Sequence, residues 1–181
     1  DMIGTFAPFA QRSAQNIVLD GIRRETEHGD AVQFCPLAKR FAFEIGAKIG
    51  GYELVAKIGS GSNGQVWLSR SATGQYNALK IMKRQDMKDD RQFDREFNGI
   101  CHYEPLSRAY NGLIDILHVT RDDEAGYYYY VMELADDFST GPEIAPDSYT
   151  PRTLQHELGT RGRLPFDECA GIANALAEGL L

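Results

Sequence analysis

The segment Ile58-Gly59-Ser60-Gly61-Ser62-Asn63-Gly64-Gln65-Val66 constrains this chain more than any other, because Ala78-Leu79-Lys80 follows it closely. Three glycines spaced G-x-G-x-x-G let a backbone fold tightly over phosphates, where a Cβ would hold the N–H groups away. The spacing alone is ambiguous, and the flanking residues decide it. A dinucleotide fingerprint leads from a strand into a helix whose N-terminus holds the pyrophosphate. Here Gln65-Val66-Trp67-Leu68-Ser69-Arg70 alternates as a strand does, Ser71-Ala72-Thr73-Gly74 reads as a turn, and Tyr76 to Met82 reads as another strand. The order is strand, loop, strand, turn, strand. A Walker A loop is excluded as well, since Gln65-Val66 stands where Lys and Ser/Thr are required.

Lys80 lies between Leu79 and Ile81 in a strand of high β-propensity, where an ammonium is costly to bury without a partner. An edge lysine with its head in water satisfies that requirement, and so does a nearby carboxylate. From Asp89 to His102 the chain reads as a helix, with Phe93, Phe97 and Ile100 on one face. Glu96 borders that face and is the expected partner. Asp94 points elsewhere, and Glu104 precedes Pro105, which is expected to end the helix. Two further strands are expected, Gly112 to Val119 and Tyr127 to Leu134, joined by a polar turn at Arg121-Asp122-Asp123-Glu124.

These motifs together resemble the eukaryotic-type (Hanks-type) protein kinase family, over roughly 130 of the 181 residues. The resemblance implies an α+β fold: a small lobe of five antiparallel strands and one large helix, followed by the first helices of an incomplete α-helical second lobe. It implies ATP as nucleotide and Mg2+ as metal, with transfer of the γ-phosphoryl group to a protein substrate's serine or threonine hydroxyls. By the same resemblance the phosphate lid is Ile58, Gly59, Ser60, Gly61, Ser62, Asn63 and Gly64. Lys80 holds the α- and β-phosphates and Glu96 fixes Lys80. Val66 and Ala78 cover the adenine, although ordinary core packing accounts for Val66 equally well. Met132 backs the pocket, and the Glu133 carbonyl and Ala135 N–H make the base's hydrogen bonds.

The motifs His-Arg-Asp and Asp-Phe-Gly, which supply the family's base and metal ligands, do not occur in the 181 residues. Asp136-Asp137-Phe138-Ser139 resembles the second superficially, but it follows the hinge directly and is assigned no metal role. Thr150-Pro151 reads as a cap and first turn of a short helix through Leu154 and Leu158. Pro165 reads as the start of another, with Phe166, Cys169, Ile172, Leu176 and Leu180 along its apolar stripe. Both ends look like cuts, so the expectation is a fragment, inactive by itself, of a longer kinase. Two alternatives stay open: a pseudokinase or nucleotide-binding scaffold, and a small-molecule kinase of the antibiotic or choline type. The last helices have the look of bacterial family members, which lean towards serine and threonine.

Three regions follow: 1–50, a flank or linker with a helix expected from Ser13 to His28; 51–135, the small lobe; and 136–181, with hinge exit, an inserted loop at 137–149 and helices. The loop reads as a solvated insertion more than as a lid. Net charge is −7 with scattered positive residues, which points away from nucleic acid. Cys35, Cys101 and Cys169 form no disulfide framework or zinc spacing, consistent with a reducing compartment. The kinase portion is therefore expected in the cytoplasm, with a membrane anchor outside this segment left open.

Overall fold

Alternation along the strand at Tyr76 to Lys83 sends Ala78, Lys80 and Met82 to one face and Leu79 and Ile81 to the other, and both faces are covered. In the computed structural model, which describes residues 43–61, 64–110 and 112–180, that strand is the fourth of six. They are β1 (Lys48–Ile49), β2 (Tyr52–Gly61), β3 (Gly64–Arg70), β4 (Tyr76–Lys83), β5 (Ile116–Asp122) and β6 (Tyr127–Met132). All pair antiparallel, in the order β1-β2-β3-β4-β6-β5. Helix α1 (Asp90–Ser107) joins β4 to β5, and α2 (Leu154–Arg161) and α3 (Phe166–Leu180) follow the sheet. The residues expected to form a helix from Ser13 to His28 lie outside the described ones.

Helix α1 starts where Asp89 accepts the Gln92 N–H at 2.7 Å. Its apolar stripe lies on the inner face of the sheet: Phe93 is fully buried, and Phe93 and Phe97 meet the Tyr128 ring edge-on at 5.1 and 5.3 Å. The outer face carries a second core of Leu54, Trp67, Leu79, Ile81, Tyr129 and Val131, closed by Phe43, Ala47, Ile49 and Tyr52. Gly50 has a φ of +54°, and a Cβ there would overlap the Tyr129 hydroxyl. Glycine is thus what lets the β1–β2 hairpin lie against the sheet.

The five expected strands are present, and β1 is a sixth that precedes residue 51. Other boundaries differ. The strand expected at 112–119 is Ile116–Asp122, because Gly112 is turned against α3, where a Cβ would run into the Ala175 carbonyl oxygen. Arg121 and Asp122 therefore belong to β5, and the turn begins at Asp123. Strand β6 ends at Met132, two residues short of Leu134. Pro105 does not end α1; it lies inside the last turn, and the helix runs to Ser107, whose Oγ donates to the Glu104 carbonyl at 2.7 Å. Thr153, not Thr150, caps α2, by accepting the His156 N–H at 3.1 Å. Thr150 and Pro151 instead lie beside the segment at Asp137. On α3 the buried part of the stripe is Ile172, with Leu176 half-buried, while Phe166 and Cys169 are exposed.

Candidate functional site

Gly59 pairs with Val66 and Gly61 with Gly64, so the described part of the glycine-rich segment is a pair of antiparallel strands; Ser62 and Asn63 lie outside the described residues. Gly64 has a φ of +150°, and a Cβ there would lie 2.5 Å from the Ile81 carbonyl oxygen and 2.6 Å from Met82 Sδ. This glycine is needed for close approach of the pair to β4, a packing reason separate from any phosphate. At Gly61 a Cβ would meet nothing within 4 Å. Ser60 is exposed and Ile58 half-buried. Val66 packs on the cluster of Ala78, Ile114, Ile116 and Met132, so these apolar residues share one cluster under the sheet.

Lys80 is paired across the sheet with Val66 on one side and Tyr130 on the other, and its ammonium lies 5.8 Å from the Tyr130 ring centroid. Burial pushes its pKa down, and the charge of Glu96 opposes that shift. Both residues line one cleft of about 300 Å³, with Met82, Ile100, Tyr103 and Tyr130. They face each other without contact. Among the described residues no carboxylate oxygen comes within 4 Å of the Lys80 ammonium, and the cation nearest Glu96 is Arg95 at 3.9 Å. The Tyr130 hydroxyl is pushed upward in pKa by burial and by the Glu96 charge.

Helix α1 is held near its start by two arginines that the sequence reading did not single out. Arg121 meets Asp94 at 2.8 Å and Asp123 at 2.7 Å, and Arg84 meets Asp123 at 2.5 Å and Asp90 at 3.4 Å. Their guanidinium groups lie 4.7 Å (Arg84) and 4.9 Å (Arg121) from the Phe93 ring centroid. Asp94 is thus directed away from Lys80, as expected, and Glu104 is engaged by Arg108. Placing Arg121 in a turn concealed its role; as a strand residue it faces the helix.

After β6 the chain passes through Glu133 to Asp137. The Glu133 N–H donates to the Asp115 carbonyl at 3.0 Å, and the Asp115 N–H donates to Glu133 Oε1 at 3.3 Å. The Ala135 carbonyl accepts the Tyr149 hydroxyl at 2.9 Å, while its N–H makes no hydrogen bond among the described residues. Asp137 is buried and accepts the N–H groups of Ser139 (2.7 Å), Thr140 (3.0 Å) and Thr150 (2.9 Å). Those bonds hold its carboxyl below the usual carboxylate range. Its carboxylate oxygens are thus committed to bracing the loop. The run Asp-x-Ser-Thr is an Asx-turn signal that identifies this brace in retrospect. Phe138 stacks on His156 with ring centroids 3.9 Å apart.

A larger cavity of about 640 Å³ adjoins the same hinge from the side of Gly74 to Asn77, Leu117 and Pro142 to Ile144. Glu133, Leu134 and Ala135 line it, whereas Val66 and Ala78 do not. Among the described residues no group of three His, Cys, Asp or Glu side chains is arranged to hold a metal ion, and no helix is long and apolar enough to cross a membrane.

No protein-family model and no curated protein matches this chain. Solved structures do match. Two crystal structures of the Mycobacterium tuberculosis PknI kinase domain are each 21% identical to it, with TM-scores of 0.53 and 0.52. The match covers 77% of this chain and 49% and 51% of theirs, so the chain spans about half the length of those domains.

Proposed function

The chain has the fold of a protein kinase's small lobe with the first helices of the second, and we propose on that basis that it is the ATP-binding portion of a protein serine/threonine kinase. One observation carries the reading: a lysine with a depressed pKa on a central strand faces Glu96 across a cleft, between the glycine-rich segment and the hinge. ATP, when bound, supplies the γ-phosphoryl group for transfer to a protein hydroxyl. Lys80 neutralises the α- and β-phosphates, and the segment at Gly59, Gly61 and Gly64 covers them. Val66 and Ala78 lie over the base, in front of Met132. The Glu133 carbonyl and Ala135 N–H read the edge of the adenine. Glu96 orients Lys80 once α1 carries it within hydrogen-bonding reach, the ion pair that kinase activity requires.

The residues at hand fit the nucleotide but not the metal. Magnesium ligands and the catalytic base belong, by the resemblance, to motifs absent from the 181 residues. The expected behaviour of residues 1–181 is therefore weak ATP binding without phosphoryl transfer. Amide chemical-shift titration with millimolar ATP tests the first part: shifts at Gly61, Gly64 and Ala135 are expected, lost at the first two in Lys80→Ala. Phosphate transfer by the purified chain, abolished by Lys80→Ala, would overturn the second.

A further inference from the structure

The Tyr149–Ala135 contact bears on which base the site accepts, given the nucleotide-binding reading above. The Watson–Crick edge of adenine presents, in order, the N6 amine, N1 and C2–H. With N6 donating to the Glu133 carbonyl and N1 accepting from the Ala135 N–H, the next backbone group in line is the Ala135 carbonyl, facing C2. That carbonyl already accepts the Tyr149 hydroxyl at 2.9 Å. The hydroxyl is delivered by a braced loop. Thr150 N–H is fixed on Asp137 Oδ2 at 2.9 Å, the Thr150 carbonyl accepts the Phe138 N–H at 2.8 Å, and Arg152 N–H donates to the Asp136 carbonyl at 2.9 Å. The returning segment 150–152 thus runs antiparallel to 136–138, with Tyr149 at the end nearer Ser139, so that its side chain reaches back along the pair to the Ala135 carbonyl.

We infer that Tyr149 is a specificity-determining residue: it caps the Ala135 carbonyl and so selects a purine with hydrogen at C2 over one bearing a 2-amino group. Adenine loses nothing by the cap, since C2–H asks for no strong acceptor. A 2-aminopurine brings a donor to a carbonyl that already accepts the Tyr149 hydroxyl. Leaving that donor unpaired costs about tenfold in affinity. The inserted loop, which reads from its sequence as a solvated connection, is by this argument part of the base site.

The experiment compares ATP with 2,6-diaminopurine riboside triphosphate on the whole chain, by amide chemical-shift titration, in wild type and in Tyr149→Phe. Inorganic tripolyphosphate is the control for the phosphate end. Wild type is expected to bind ATP about tenfold more tightly than the diaminopurine nucleotide. In Tyr149→Phe the ratio should fall towards one, by a gain for the diaminopurine nucleotide, with tripolyphosphate affinity unchanged. Tyr149→Leu, which lacks the ring as well, should move the ratio in the same direction. An unchanged ratio in both variants, with ATP still bound, overturns the role of Tyr149 and leaves the nucleotide reading intact. If wild type binds tripolyphosphate and neither nucleotide, or binds none of the three, the nucleotide reading falls and the inference with it.

Discussion

Lys80 stands where two physical demands oppose each other. Burial lowers its pKa from the ordinary 10.5, and the Glu96 charge only partly offsets this, because the carboxylate is not in contact. The sign of the pH effect follows. Between the lowered folded value and 10.5 the unfolded chain binds more protons than the folded one, so this residue's contribution to stability improves as pH rises through that window. Below the window the cost is fully present. Lys80→Met is therefore expected to melt at or above the wild-type temperature at neutral pH, and its advantage should shrink as pH approaches 10.5. Thermal melts at several pH values measure this. A variant that melts lower at every pH would mean that Lys80 is held by an interaction stabilising enough to outweigh its burial.

At the scale of elements, α1 is fastened in two ways. Phe93 is fully buried against Met82 and Tyr128, and the same ring is flanked by Arg84 and Arg121 with their aspartates. Exposed ion pairs contribute little individually, whereas removing a buried phenylalanine leaves both a lost transfer term and a cavity. Phe93→Ala should therefore cost about 3–5 kcal/mol, read from the midpoint of urea unfolding. A loss below about 1 kcal/mol would mean that the arginine–aspartate pairs alone hold the helix. The Phe93, Phe97 and Ile100 spacing made this helix legible in the sequence, and alternation did the same for β3 and β4. Elements set by distant contacts were not legible in the same way. Strand β5 is shifted because Gly112 is claimed by α3, and α2 starts late because Thr150 and Pro151 are claimed by Asp137. Strand and helix period single out Lys80 and Glu96, whereas Val66, Ala78 and Met132 come from the family resemblance. Tyr149 and Arg121 could not be read, since a single residue in a loop or at a strand end carries no period.

Across the whole molecule, the sheet has two buried faces and each needs a cover. The inner face is covered by α1. The outer face is covered by the chain leading into the sheet: Phe43 meets the Tyr127 ring at 5.2 Å, Ile49 is buried, and the Gly50 turn lies on Tyr129. A lobe taken to begin at residue 51 would leave Leu54, Trp67, Leu79, Ile81, Tyr129 and Val131 without that cover. Each large apolar side chain fully removed from water contributes about 1.5–3 kcal/mol, so loss of Phe43 and Ile49 alone should cost about 3 kcal/mol. Trp67 is the chain's single tryptophan and is 4% exposed in this core, which makes it a reporter of the cover. Two shortened chains, one beginning at 43 and one at 51, isolate the effect. The chain from 43 should keep the blue-shifted Trp67 emission and the melting temperature of the 181-residue chain. The chain from 51 should show red-shifted emission, a lower melting temperature and a tendency to associate through the bared face. Equal spectra and equal melting temperatures would mean that the outer face closes over itself, and that residues 43–50 are a passenger on the sheet and not part of its core.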